Sequence, residues 1–139
     1  MADAMILLGT RVFVYYNLHK KCFRIKALTG VKKGLVVAHS DYVLLSDATP
    51  SVSIAGMQRV RRTKQKNVHA GFKGTLECLD EHIVVQQDSP DWGLTGEYVT
   101  YNPYLYDSFV YINNTDKKVD YTEIRDYYLH NKQILQINW

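Results

Sequence analysis

The sequence predicts a mainly β protein: a small barrel of bent antiparallel strands with one basic helix and a C-terminal helix. Short runs rich in β-branched and aromatic residues recur at a spacing of roughly ten residues, and glycine-containing turns separate them. Helical periodicity is confined to two segments. An SH3-like barrel and an OB-like barrel both fit this pattern, and the pattern alone does not separate them.

The length of 139 residues fits one domain that spans the whole chain, 1–139. The composition, 46% hydrophobic and 22% charged, is that of an ordinary globular protein. Cys22 and Cys78 lie far apart in apolar, strand-like contexts, so we expect reduced thiols rather than a disulfide framework. The N-terminus lacks the pattern of a secretory signal, and no run approaches the roughly 20 apolar residues that span a bilayer. We therefore expect a cytoplasmic protein without membrane contact.

Residues 9–48 are predicted to form a β-meander. Thr10–Tyr16 and Cys22–Leu28 are rich in β-branched and aromatic residues or alternate apolar with basic ones, which is typical of strands. The connection between them, Asn17–Lys21, is short and polar, so an antiparallel hairpin is expected. After a turn that contains two glycines, Leu35–Leu45 supplies one interrupted strand or two short ones.

Residues 54–66 are predicted to form a short basic helix. Ile54, Met57 and Val60 recur at helical spacing and would share one face. Gly56 lowers the helix propensity of the segment, and an extended basic strand is the alternative.

Residues 68–112 are predicted to form a second set of strands. The segment VHAGFKGTLECL is strand-like, and its two glycines indicate a bulge or a sharp bend. A further short strand, HIVVQQ, leads into a loop rich in Pro, Gly and Asp. The next segment, EYVTYNPYLYDSFVYI, divides at its Asn-Pro pair into two strands joined by a turn.

Residues 119–139 are predicted to form a C-terminal helix followed by an apolar tail. Asp120 and Glu123 have the spacing of a capping box, and apolar residues follow them at helical intervals. The tail, QILQINW, is apolar enough that we expect it to pack against the rest of the domain.

The charges divide the chain into a basic and an acidic half. Residues 1–76 contain thirteen Lys or Arg and three Asp or Glu, a net +10, whereas residues 77–139 contain four and eleven, a net −7. The run Arg59–Lys73 has six cations among fifteen residues and no carboxylate. Such asymmetry favours a polyanionic or acidic partner, although a basic helix can also be a simple solvated face.

The leading hypothesis is binding to the DNA or RNA backbone, because cations displace counterions from phosphates and aromatic faces stack on bases. The candidate contacts lie in and beside the basic run: Arg59, Arg61, Arg62, Lys64, Lys66, His69 and Lys73. The candidate stacking residues are Tyr15, Tyr16, Phe72 and Tyr101, although most aromatic residues of a domain belong to its core.

The rival hypothesis is binding to another protein. Tyrosine, tryptophan and arginine are enriched at the energetic centres of protein interfaces, and the chain has eleven tyrosines. The candidate interface residues lie in the acidic half: Trp92, Tyr98, Tyr101, Tyr104 and Tyr106. The acidic half could equally pair with the basic half, either within one subunit or between subunits of a homo-oligomer.

Catalysis has less support. The five histidines are dispersed without metal-ligand spacing, and no glycine pattern typical of a nucleotide cofactor is present. We therefore expect no catalytic residue, no metal and no cofactor. A small nuclease that uses His69 as a general acid or base is a third hypothesis.

Four segments resemble a family of small accessory proteins carried by tailed phages and prophages: GTRVFVYYNLHKKCFRIKAL, VVAHSDYVLL, RRTKQKNVHAGFKGTL and VTYNPYLYDSFV. The most specific parts are KNVHA followed by glycine and the later VTYNPY. This resemblance spans residues 9–112. It implies expression in the cytoplasm of a bacterial host. It also implies a role in nucleic-acid binding or in inhibiting a host protein that handles nucleic acid, including an anti-phage defence protein, as anti-CRISPR proteins do. It implies no active-site residue.

Overall fold

The computed structural model describes residues 8–66, 70–78, 95–130 and 132–138. Within these ranges the chain forms nine strands and one helix. In chain order they are β1 (Arg11–Asn17), β2 (Cys22–Ala27), β3 (Val36–Ser40), β4 (Tyr42–Ser51), α1 (Ile54–Thr63), β5 (Gly71–Cys78), β6 (Thr95–Tyr101), β7 (Phe109–Tyr111), β8 (Arg125–His130) and β9 (Gln133–Asn138). The predicted mainly β class is confirmed.

All nine strands belong to one antiparallel sheet in the order β3-β2-β1-β5-β4-β8-β9-β6-β7. The predicted hairpin of β1 and β2 is present, with Val14 opposite Ile25. The meander predicted for residues 9–48 ends at β3, because β4 pairs with β5 and β8 instead. Strands β3 and β7 are the two edges, so the sheet is open rather than a barrel closed by hydrogen bonds.

The connection between β3 and β4 requires the sheet to curl strongly. These strands stand first and fifth in the sheet, which would separate them by about 19 Å if the sheet were flat. Only Asp41 joins them, and the step from Ser40 to Tyr42 spans at most about 7 Å. The sheet must therefore bend until the end of β3 meets the start of β4, which is the bent geometry that the sequence predicts.

The core fills the concave side of this curl. The centroids of the Phe72 and Phe109 rings lie 5.1 Å apart, although β5 and β7 are well separated in the sheet order. Tyr127 from β8 packs 4.7 Å from Phe72. Both phenylalanines and Tyr127 are about 1% exposed. Large side chains thus join strands that are distant in the sheet order.

A bulge in β4 helps the sheet to turn. The pairing of β4 with β5 shifts between Ser46 and Thr49, and Asp47 has a positive φ of 47°. Gly74 of β5 faces this bulge, where an added Cβ would stand 2.5 Å from the Cβ of Ala48. The strands can approach this closely only because residue 74 has no side chain, in line with the bend predicted for this segment.

The predicted C-terminal helix is wrong. Residues 125–130 and 133–138 form strands β8 and β9, which pair with each other. Asp120 does accept the hydrogen bonds expected of a capping residue, from the backbone N–H and the hydroxyl of Thr122 at 2.9 and 2.7 Å. It caps a turn rather than a helix, because β4 and β6 each offer a hydrogen-bonding edge to the chain that follows. The tail packs as expected, with Ile134 and Ile137 buried.

The basic helix is present but shorter than predicted. It runs from Ile54 to Thr63, whereas the sequence predicts residues 54–66. Lys64 takes the left-handed conformation, with a φ of 60°, and its N–H bonds to the carbonyl of Val60 at 3.1 Å. In the part of the chain that the structure describes, no helix is long and apolar enough to cross a bilayer.

Candidate nucleic-acid interface

Helix α1 is built to present its cations to solvent. Ser53 caps its start, because the Ser53 hydroxyl accepts a hydrogen bond of 3.0 Å from the N–H of Gly56. Gly56 and Val60 are the buried residues of the helix. Arg61 and Arg62 lie in its last turn, where positive charge is favourable at the negative end of the helix dipole. The helix therefore buries a narrow stripe and exposes a basic remainder.

The predicted phosphate contacts are available, but they do not all lie together. Arg61, Arg62, Lys64 and Lys66 are exposed, and Arg59 is half-buried. Lys73 is also exposed, but it lies on the outer face of β5 between Phe13 and Thr49 rather than on the helix. His69 lies outside the residues that the structure describes.

Two tyrosines lie beside the cations of the helix. The Tyr104 and Tyr106 side chains are 61% and 45% exposed, in the loop between β6 and β7. The guanidinium carbon of Arg61 stands 5.9 Å from the centroid of the Tyr106 ring, a distance at which a cation interacts with an aromatic face. Arg59 and Lys66 line one shallow depression together with Tyr104.

We call this set the helix–tyrosine surface: Arg59, Arg61, Arg62, Lys64, Lys66, Tyr104 and Tyr106. Its cations were predicted as phosphate contacts and its tyrosines as a separate protein interface. The fold brings residues from these two hypotheses into one basic and aromatic surface.

The loop that carries these tyrosines is held by its own hydrogen bonds. The side-chain oxygen of Asn102 accepts from the N–H of Tyr104 at 2.9 Å, and the N–H of Asn102 donates to the carbonyl of Ser108 at 2.8 Å. The Tyr121 hydroxyl donates to the carbonyl of Asp107. These bonds fix the conformation of the loop, so its exposed rings need little ordering on binding.

The remaining predicted aromatic residues lie elsewhere. Tyr98 is 44% exposed in β6, whereas Tyr101 is 4% exposed and packs in the core, where burial raises the pKa of its hydroxyl. The Tyr101 ring is therefore not available to a partner. Tyr16 and Phe72, named as stacking candidates, are also core residues. Trp92 lies outside the described residues.

Sequence reasoning missed Phe13 as a functional candidate. Phe13 and Tyr15 alternate in β1 with Val12 and Val14, which are completely buried, so both aromatic side chains point to the outer face. Lys26 lies opposite Phe13 in the same sheet. The alternation in β1 shows that Phe13 and Tyr15 share one face of the strand and that Val12, Val14 and Tyr16 share the other. The sequence alone does not show which of these two faces points into the core.

Two carboxylates of the acidic half pair with cations of the same half. Among the described residues, the ion pairs join Lys117 to Glu97 at 3.2 Å and Arg125 to Glu123. Neither pair uses a cation of the helix–tyrosine surface. The side-chain amide of Gln136 extends the second pair by donating to Glu123 at 3.1 Å. The acidic half is thus partly neutralised within itself, and the basic charge of the helix faces solvent.

Comparison with known proteins identifies the family. The family model described as the Mycobacterium phage L5 gene 82 protein matches residues 5–136. The curated gene 82 protein of Mycobacterium phage L5 is 41% identical over 109 residues, which cover 74% of this chain and 79% of that protein. The predicted resemblance to a phage family is confirmed, and it extends through the C-terminal strands. No solved structure matches the chain significantly. The chain belongs to the family of the Mycobacterium phage L5 gene 82 protein.

Proposed function

We propose that this protein binds nucleic acid, with phosphates on the cations of the helix–tyrosine surface and bases against its tyrosines. One observation carries the proposal: the exposed cations at the end of α1 lie beside the exposed rings of Tyr104 and Tyr106. A groove that combines positive charge with accessible aromatic faces suits single strands, because their bases are free to stack. Binding would take place in the cytoplasm of the bacterial host.

The charge distribution of the chain supports a polyanion as the ligand. The basic half carries a net +10, and its helix cations lie apart from the carboxylates that pair within the acidic half. When these cations bind the phosphates of a nucleic acid, they displace the counterions condensed on it. The release of these counterions strengthens binding whatever the base sequence. The proposed role is therefore binding of a strand with little sequence preference.

Salt dependence tests the proposal. We expect the logarithm of the association constant for a single-stranded oligonucleotide to fall with the logarithm of salt concentration with a slope of about −0.7 for each phosphate contact. The five cations of the helix–tyrosine surface alone then contribute about −3.5 to the slope. Fluorescence anisotropy of labelled DNA and RNA, single-stranded and duplex, measures this slope. Absence of binding to all four probes at low salt would refute the proposal.

A second candidate function is docking on a host protein, including an anti-phage defence protein. Tyr98 and Ile112 are 44% and 43% exposed at the sheet edge formed by β7, and the N–H of Ile112 donates to the carbonyl of Tyr98 at 3.0 Å. Adjacent exposed apolar side chains are typical of a protein-binding site. Binding of this kind should depend weakly on salt and should be lost in Tyr98→Ser/Ile112→Ser, with the helix cations intact.

A further inference from the structure

Two rows of side chains cross the outer face of the sheet at β2, β1 and β5. In the first row Phe13 lies between Lys26 and Lys73, and in the second Tyr15 lies between Arg24 and Gly71. Directly opposed residues of neighbouring strands place their Cβ atoms about 5 Å apart. Aromatic rings and cations are therefore interleaved on one outward-facing surface, at the opposite end of α1 from Tyr104 and Tyr106.

The two aromatic rings form a nearly parallel pair. The centroids of the Phe13 and Tyr15 rings are 5.6 Å apart, the planes differ by 25°, and both side chains are half-buried. Gly71 makes this arrangement possible. A Cβ at residue 71 would stand 2.1 Å from the carbonyl oxygen of Val14, and 3.0 Å from both Cζ of Phe13 and Cβ of Tyr15. Because Gly71 has no side chain, the rings can settle over β5.

The cations around the rings lack nearby acidic partners among the described residues. Nε of Arg24 is a buried donor without a hydrogen-bond acceptor in the described part of the chain. An unpaired buried guanidinium donor is costly, so the Arg24 side chain gains by turning outward to an acceptor such as a phosphate oxygen. Arg24 lies opposite His39 in the neighbouring strand, and its charge and that of Lys20 add to partial desolvation in lowering the pKa of His39.

This face adjoins the start of helix α1. Phe13, Lys26 and Lys73 line one depression together with Ser51 and Ser53, and Ser53 is the residue that caps the helix. A helix of ten residues is about 15 Å long. The helix thus leads from this depression to the helix–tyrosine surface at its other end.

We propose that this outer face is a base-stacking platform for single-stranded nucleic acid, on which bases lie against Phe13 and Tyr15 while Arg24, Lys26 and Lys73 bind the flanking phosphates. We call these five residues the sheet-face platform. Charge complementarity selects the occupant, because cations flank both rings and free aromatic faces match unpaired bases. The inference rests on the proposed function and extends it: one strand runs along α1 from the platform to the helix–tyrosine surface.

Oligonucleotides with and without bases test the platform. The probes are a labelled oligothymidine and an abasic oligonucleotide of equal length and charge, titrated by fluorescence anisotropy against full-length protein. The wild type is expected to prefer the thymidine probe by about fivefold or more for each base that stacks. The Phe13→Leu/Tyr15→Leu variant should lose most of this preference and bind the abasic probe as the wild type does.

Two further variants keep the test decisive. Tyr128→Leu removes another half-buried tyrosine, on β8, and should leave both affinities unchanged. Lys26→Gln/Lys73→Gln changes two side chains that are not in the core and should reduce the salt slope by about 1.4 even if the leucine variant does not fold.

The outcomes separate the two proposals. A thymidine preference that survives in Phe13→Leu/Tyr15→Leu but disappears in Tyr104→Leu/Tyr106→Leu would overturn the platform and leave the helix–tyrosine surface standing. An unchanged salt slope in the lysine variant would also overturn the platform. If the wild type binds neither probe, the proposed function fails and the platform fails with it.

Discussion

At the scale of single residues, the core contains one polar atom whose removal should not harm the fold. The Tyr127 ring is 1% exposed and packs against Phe72, but its buried hydroxyl has no hydrogen-bond partner among the described residues. An unsatisfied buried hydroxyl costs about 1–3 kcal/mol. This cost makes position 127 a direct test of the packing.

We expect Tyr127→Phe to leave the free energy of unfolding unchanged or to raise it by about 1 kcal/mol, because the ring remains and the unpaired hydroxyl is removed. Urea denaturation followed by circular dichroism measures the effect. The matched control is Tyr111→Phe, which should destabilise the protein because the Tyr111 hydroxyl donates to the side-chain oxygen of Gln136 at 3.2 Å. A loss of stability in Tyr127→Phe as large as in the control would contradict the assignment.

The titration of His39 is a second residue-scale prediction. Its pKa should lie below 6.5 because partial desolvation and the charges of Lys20 and Arg24 disfavour the imidazolium. The unfolded chain then takes up the proton at higher pH than the folded chain, so stability declines as pH falls through 6.5. Chemical-shift titration by NMR should show the pKa of His39 rising in Lys20→Gln. A pKa that is unchanged in this variant would contradict the electrostatic account.

Residue-scale features divide into those that the sequence predicts and those that it does not. The exposure of Arg61 and Arg62 follows from a basic segment on a helix that buries only Gly56 and Val60. The burial of the aromatic residues cannot be predicted from the sequence in the same way, because Tyr15 and Tyr16 are neighbours and only Tyr16 lies in the core. Either set of alternate residues in such a strand could face the core, and pairing with the neighbouring strands determines which set does.

At the scale of elements, α1 depends on its caps. The Ser53 hydroxyl accepts a hydrogen bond from the N–H of Gly56 in the first turn. The first N–H groups of a helix have no acceptor within the helix, so without Ser53 this N–H would have to bond to water. We expect Ser53→Ala to weaken the helix by about 1 kcal/mol and to accelerate amide hydrogen exchange at Gly56. Ser51→Ala in β4 is the control, with exchange in α1 unchanged. Equal exchange at Gly56 in wild type and Ser53→Ala would show that the cap is unimportant.

Elements held by local interactions are the ones that the sequence predicts. The hairpin of β1 and β2 follows from two strand-like runs joined by a short polar turn, and α1 follows from its apolar spacing. The C-terminal strands could not be predicted in this way. The capping signal of Asp120 is real, but β8 and β9 form because β4 and β6 supply partners that are distant in sequence. Long-range pairing overrides local helical preference here.

At the scale of the whole molecule, the fold places the basic helix beside a tyrosine loop more than forty residues later in the chain. Arg61 approaches the Tyr106 ring at 5.9 Å, and no local pattern relates the two positions. The charge division between the two halves is visible in the sequence, but the combined surface is a consequence of the curl of the sheet.

We propose that the position of the helix cations, and not merely the net charge, determines binding to nucleic acid. The most direct measurement compares two variants that each lose four units of positive charge: Arg61→Glu/Arg62→Glu on α1 and Lys32→Glu/Lys33→Glu on the exposed turn before β3. Fluorescence anisotropy with a labelled single-stranded oligonucleotide at moderate salt gives both affinities. We expect the helix variant to lose binding by at least about a hundredfold and the turn variant to lose much less. Equal losses in the two variants would contradict the claim.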